Sequence, residues 1–548
     1  MTFLELVRRE MHGSLPKLLF MSALGGISTA TILASINSGM QGTGDGNKPS
    51  LWAATLFIVS LFLFIKTQLY VTITATAEIE AIIHKLRLRV MDLVRRSELL
   101  AMESIGRSRI VAAITSDTAV LTQASNTLSF TVQGAVLIFF VGIYVAYLSF
   151  AAFAMTVIIV SGAAAIFHVK NRRLITEKQE SAQWERRLYD RLTDFMDGFK
   201  EVRLNRARSN DLFDDSVDVS RAAANLKIRS QAETFKLIVS SQVAMYVLLG
   251  AVVFAAPQFS DTLGGASLTK TTTALMFVVG ACFGLVQSIP ILLIANSAAD
   301  RIDQLEIALR AAASTTDERD IKIPKRFDKI EMRNIVFRYF DAHSEATFQI
   351  GPLDFSLESG ELVFITGGNG SGKSTFLRVF AGLYPPDSGE ITLDGARVNT
   401  ETRDTYRALM SAIFFDNHLF RKLYGIPEPE PGEVDRLLKQ FRLSDKISLS
   451  DSEFSTLELS GGQRRRLALI VSLLEKRPIL ILDEWTAEQD PEFRRKFYDE
   501  LLPQMKQAGL TVVAITHDDR YLDELKMPAR RIRFEEGRIV EQRSMENG

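Results

Sequence analysis

Gly367-Gly368-Asn369-Gly370-Ser371-Gly372-Lys373-Ser374-Thr375 lies between an apolar run, 361–366, and an amphipathic run, 375–383. Its spacing is G-x-x-x-x-G-K-[ST], and a strand before it with a helix after it is the context in which that spacing binds phosphate. Glycines let the backbone curl so that successive N–H groups point at one anion, and the helix N-terminus adds to the field. Gly368, Asn369, Gly370, Ser371, Gly372 and Thr375 are therefore expected around the phosphates of ATP. Lys373 supplies a point charge for the terminal phosphates, and the Ser374 hydroxyl is a candidate Mg²⁺ ligand. From Lys329 onward, short β-rich runs alternate with amphipathic stretches, the pattern of an α/β domain with a mainly parallel sheet.

About 110 residues after the loop, as phosphate-loop ATPases space their second acidic motif, Pro478-Ile479-Leu480-Ile481-Leu482 runs into Asp483-Glu484. A continuous apolar run suits a strand buried on both faces. Acids at the carboxyl end of such a strand lie in the ligand crevice. Asp483 is expected to hold Mg²⁺ through water, and Glu484 to polarise the attacking water.

The residues before 310 are of another kind. The chain is 47% hydrophobic with a net charge of −1, and its apolar residues concentrate in six long runs: 18–36, 51–71, 129–148, 150–169, 237–256 and 273–295. Each is long enough to cross a hydrocarbon core of about 30 Å. The third and fourth nearly touch, which requires a very tight turn at Ser149. Arg8, Arg9 and Lys17 before the first run resemble the start of a signal peptide, but the run is too long and more follow, so it reads as an uncleaved span. The connections after the second and fourth runs are rich in Lys and Arg, which places both, and both termini, in the cytoplasm. Both connections read as helical extensions, with tips expected at 104–116 and 197–209. Lys66, inside the second run, is expected to snorkel to the inner headgroups. The single cysteine, Cys282, excludes an intrachain disulfide. The absence of a basic bias argues against nucleic acid as a partner.

Leu459-Ser460-Gly461-Gly462-Gln463, lying between the two nucleotide motifs, resembles the signature of the ABC transporters, and the resemblance extends over the whole chain. It implies that Ser460, Gly461, Gly462 and Gln463 touch ATP held by a second subunit. It also implies that His517, in Ile515-Thr516-His517-Asp518, contacts the γ-phosphate, that Tyr339 stacks on adenine and that Asp490 is the aspartate of the D-loop. One stretch departs from the family. In Ile413-Phe414-Phe415-Asp416-Asn417-His418-Leu419-Phe420, Phe415 occupies the position of the Q-loop glutamine. A phenyl ring can neither ligate Mg²⁺ nor orient water, which leaves Asp416 and Asn417 as candidates to substitute. That stretch, together with Asp483-Glu484-Trp485-Thr486-Ala487-Glu488-Gln489-Asp490-Pro491 and the region of Pro290 and 295–306, is similar to a group of cyclic-peptide exporters. The group handles pyoverdine-type siderophore precursors and syringomycin-type lipopeptides.

The expected fold is an α-helical six-span transmembrane domain of the type I (type IV) ABC exporter kind fused to an α/β P-loop NTPase ABC domain. The expected boundaries are 1–310 for the transmembrane domain, 311–327 for a linker and 328–548 for the ATP-binding cassette. The resemblance implies an ATP-hydrolysing exporter in a bacterial inner membrane, with the cassette in the cytoplasm. ATP and Mg²⁺ are its cofactors; membrane lipids and a second copy of the chain are its partners, and a peptide-like metabolite is its cargo. A lipid or multidrug exporter is the alternative. A soluble ATP-driven clamp lacks the six apolar runs, and a receptor or channel gated by ATP does not need Glu484. Import stays open as a further alternative, although no extra ligand-capture domain is expected.

Overall fold

The computed structural model describes residues 2–11, 15–44, 51–259, 266–313, 324, 326–339 and 348–545. The chain divides into two compact units: Met1–Met91 with Ser108–Ile307, and Asp92–Arg107 with Ala308–Gly548. Residues 92–107, counted with the membrane part on sequence, thus group with the C-terminal unit.

The first unit is helical. Five helices among the described residues are long and apolar enough to cross a membrane, and the apolar stretch Phe150–Ala165 opens a further long helix, Phe150–Asp197. The helices run well beyond a bilayer: Leu51–Arg96 has 46 residues, or about 70 Å at 1.5 Å per residue. The turn at Ser149 is as tight as expected. Ser149 ends helix Thr118–Leu148 with an extended backbone (φ −160°, ψ 115°), and its Oγ accepts the Ala152 N–H that begins the next helix. A short amphipathic helix, Phe3–Glu10, precedes the first span and buries Phe3, Leu6 and Val7. Lys66 is exposed, with its Nζ 5.6 Å from the centre of the Phe62 ring. The second tip lies where expected, as helix Phe199–Leu204 between Gly198 and Asn205.

The first tip lies earlier than expected. Helix Leu51–Arg96 ends at Ser97, which pairs with Ala313, and the Glu98 N–H donates to the Ala312 carbonyl at 3.1 Å. Helix Leu99–Ile105 follows and stops at Gly106. Long-range pairing with 312–313, which local periodicity does not reveal, sets the break. The expected linker 311–327 falls mostly outside the described residues.

Among the described residues the second unit holds three sheets, the smallest a two-stranded ribbon of Leu449–Ser450 and Glu453–Phe454. The central one runs, edge to edge, Arg538–Met545, Ala529–Glu535, Leu362–Gly367, Thr511–Ile515, Ile479–Asp483 and Met410–Ile413. All its pairings are parallel except the first. Its inner strands are buried on both faces. Phe364, Leu480, Leu482 and Val512 join one core, and Val363, Ile365, Ile481 and Val513 join the other. This period-2 division explains why the strands read as unbroken apolar runs. A smaller antiparallel sheet orders Phe348–Glu358, Lys329–Tyr339, Ser388–Leu393 and Ala396–Arg397.

Candidate active site

The central strands Leu362–Gly367, Thr511–Ile515 and Ile479–Asp483 are parallel neighbours, so their carboxyl ends open on one side of the sheet. The chain leaves the first at Gly367 with φ 144°, where a Cβ would stand 2.2 Å from the Phe534 carbonyl oxygen. Only glycine fits there. The loop then wraps into helix Lys373–Phe380. A cleft of about 650 Å³ opens over it, lined by residues 369–375 together with Phe348, Arg378, Phe415, Asp416, Asp483 and Glu484. Burial lowers the pKa of the Lys373 ammonium, an effect opposed by Glu484 and Asp483. Its Nζ donates to the carbonyls of Gly367 and Gly368, each at 2.9 Å. These are weak-field partners that a phosphate would outcompete.

Asp483 is 2% exposed. Burial pushes its pKa up, while the Ser374 hydroxyl, 3.3 Å away, and the Phe415 backbone N–H stabilise its carboxylate. Glu484 follows in the left-handed region (φ 50°, ψ 34°). Its N–H donates to the Ile515 carbonyl at 3.1 Å, and its Oε1 lies 3.2 Å from His517 Nε2. The two acids and the histidine are thus brought together at the mouth of the loop.

The signature residues are arranged separately. Ser460 caps helix Gly461–Leu474: its Oγ accepts the Gln463 N–H, and its own N–H donates to Gln463 Oε1 at 3.2 Å. This reciprocal capping box gives Gln463 a local structural task. The loop is locked to the segment after Glu484. Gln489 Nε2 donates to the Gly462 carbonyl at 3.1 Å, and Arg466 donates to Gln489 Oε1 at 2.8 Å and to Asp490 Oδ2 at 2.5 Å. Asp490 also caps helix Pro491–Lys496 through the Phe493 N–H at 2.8 Å, and that bond, with Arg466, lowers its pKa. The described lining of the cleft includes neither Ser460, Gly461, Gly462 and Gln463 nor Asp490.

Tyr339 ends its strand directly opposite Phe348. Phe348 lines the cleft along with Phe415, Tyr339 is not among the described lining, and sequence reasoning missed Phe348. Strand pairing with Tyr339 across residues outside the described set is the signal that would have found it. Of the two candidates to replace the Q-loop glutamine, Asp416 lines the cleft, whereas the Asn417 amide nitrogen is buried without a hydrogen-bond partner. Sequence reasoning also missed Arg465. It follows the signature in the run Arg464-Arg465-Arg466 and is 3% exposed.

Residues 350–487 match the ABC transporter family model. The chain is 31% identical to the ATP-binding protein SyrD of Pseudomonas syringae pv. syringae over 561 residues, covering 97% of this chain and 96% of that protein. It is 33% identical over 224 residues to the energy-coupling factor transporter ATP-binding protein EcfA1 of Streptococcus thermophilus (strain ATCC BAA-491 / LMD-9), covering 38% of this chain and 78% of that protein. The structure of a bacterial Atm1-family ABC exporter with ATP bound superposes with a TM-score of 0.78 at 19% identity, covering 98% of this chain and 95% of that one. A cassette that meets the requirements of ATP binding, joined to apolar helices in one chain with a relative of the same extent, leaves one assignment: the chain belongs to the ABC transporters and has the fold of the Atm1-family exporter.

Proposed function

We propose that the chain acts as a homodimer that binds two ATP molecules head to tail and exports a peptide-like metabolite, a siderophore precursor or cyclic lipopeptide, from a bacterial cytoplasm. The observation that carries the dimer is the division within one chain: the phosphate loop, Asp483 and Glu484 line a single cleft whose described lining does not include Ser460, Gly461 and Gly462. A signature loop supplied by a second copy completes the site. The Lys- and Arg-rich connections support a cassette on the cytoplasmic side, in the reading that the membrane is the bacterial inner one.

In this reading the loop N–H groups hold the phosphates of ATP, and Lys373 turns from the Gly367 and Gly368 carbonyls to the terminal ones. Phe348, in the lining of the cleft, offers an aromatic face to the base, and Tyr339, paired directly opposite it, is the second candidate. The oxygens of Ser374 and Asp483, 3.3 Å apart, are the hard donors that Mg²⁺ takes. When bound, Mg²⁺ neutralises charge that develops on the phosphates. Glu484 accepts the proton of the attacking water, and His517 orients both Glu484 and the γ-phosphate. Asp490 and Arg466 set the segment that faces the partner copy.

The cargo reading is supported by the two stretches 414–420 and 483–491, which resemble the cyclic-peptide exporter group. Its test is to measure precursor inside and outside a producer strain carrying Glu484→Gln. The expected result is precursor retained inside and little product outside. Equal distributions in mutant and wild type would return the lipid or multidrug reading to first place.

A further inference from the structure

Phe415, the residue that departs from the family pattern, lines the same cleft as the two acids of the site. Its backbone N–H donates to the Asp483 carboxylate. Its ring, 60% exposed, has the Arg465 guanidinium 5.0 Å from its centre. Arg465 belongs to the signature helix and its side chain is almost wholly enclosed. A buried guanidinium must be compensated on every side. Its Nη1 donates to the Glu484 carbonyl, its Nη2 lies 3.3 Å from Glu488 Oε1, and the Phe415 ring covers a face. Its own carbonyl accepts the Trp485 indole N–H at 2.8 Å. Glu484, with φ 50°, occupies a region that non-glycine residues hold only where the surroundings impose it. The Ile515 carbonyl fixes its N–H, and Arg465 fixes its carbonyl.

We infer that Arg465 is a positioning residue for ATP hydrolysis, holding the Glu484 main chain so that its carboxylate meets the attacking water, and that the Phe415 ring holds Arg465 in place by a cation–π contact. A glutamine at 415 has no π face to offer. The phenyl ring at that position therefore replaces the polar link with one that runs Phe415 to Arg465 to the Glu484 carbonyl. This rests on Glu484 being the base.

The test uses full-length protein in lipid nanodiscs, with steady-state ATP hydrolysis measured for Phe415→Leu, Phe415→Tyr, Arg465→Lys, the double variant Phe415→Leu/Arg465→Lys, and Glu484→Gln. Phe415→Leu keeps the N–H and loses the π face; it lowers kcat about tenfold with KM for ATP moved less than about twofold. Phe415→Tyr restores most of that loss. In the Arg465→Lys background, Phe415→Leu costs less than about twofold more, because the two act as one unit. Wild-type kcat in Phe415→Leu, a Tyr variant as slow as Leu, or losses that multiply in the double variant would each overturn the inference. If Arg465→Lys fails to fold, the Leu–Tyr comparison and the kcat–KM split still decide it. Glu484→Gln separates the two readings: if it turns over ATP normally, the base assignment fails, and if it is inactive while Phe415→Leu is not, only this inference fails.

Discussion

Glu484 shows what one side chain adds to a fixed backbone. Its main chain is held at both ends, and its carboxylate faces His517 at 3.2 Å. Glu484→Gln keeps the size and the main-chain bonds but removes the proton acceptor. ATP binding should stay within about twofold of wild type while turnover falls by about 10²-fold or more, the range of a lost general base. Nucleotide binding and phosphate release, measured on one preparation, check both halves, and wild-type turnover would remove Glu484 from the role. Lys373 and Asp483 differ in kind. Both are buried charges whose pKa values are displaced toward the neutral form by desolvation, so each gains from a ligand of opposite charge.

Among elements, the signature helix and the segment after Glu484 are fitted closely enough for a methyl group to matter. A Cβ on Gly462 would lie 2.7 Å from the Glu488 carbonyl oxygen, whereas one on Gly461 would meet the end of the Glu488 side chain. Backbone cannot swing aside, but a carboxylate can. Gly462→Ala should therefore destabilise the cassette by about 1–3 kcal/mol, the usual range for overpacking, and Gly461→Ala by much less. Thermal unfolding of the two variants checks the order, and an equal or reversed effect would mean the fit is looser than described. The tip Leu99–Ile105 is held by polar contacts as well as by Leu99 and Leu100, which pack against one of the two cores. Glu98 pairs with Arg403 and Arg407, and Glu103 accepts the Tyr384 hydroxyl at 2.7 Å. These groups are mostly covered, so the pairs count for more than solvent-exposed ones.

For the whole molecule, the head-to-tail proposal makes a prediction that no single chain can satisfy. Lys373→Ala spoils the phosphate loop, and Ser460→Arg spoils the signature. A mixed dimer of the two variants contains one site with both defects and one with neither. Two-tag purification should yield mixed dimers that trap nucleotide with vanadate, while each variant alone traps none. A mixed dimer as inert as its parents would count against the shared site.

The apolar runs, the phosphate loop and the strand ending in Asp483-Glu484 were legible in the amino-acid sequence because each is local. Span length follows from rise per residue, buried strands show as unbroken apolar runs, and a phosphate loop needs its glycines and lysine at fixed spacing. Those features determined an apolar helical part joined to a parallel α/β ATPase. The signature was legible in the same way, but not what it packs against. The tertiary structure alone decided that Ser97 pairs with Ala313 and shifts the first tip, that Phe348 faces the nucleotide cleft across from Tyr339, and that Arg465 is buried against Glu484 while Arg464 is exposed. Each depends on how a helix or strand is laid against one far away in the chain. A sequence period shows that a residue faces inward or outward, but not which partner it meets.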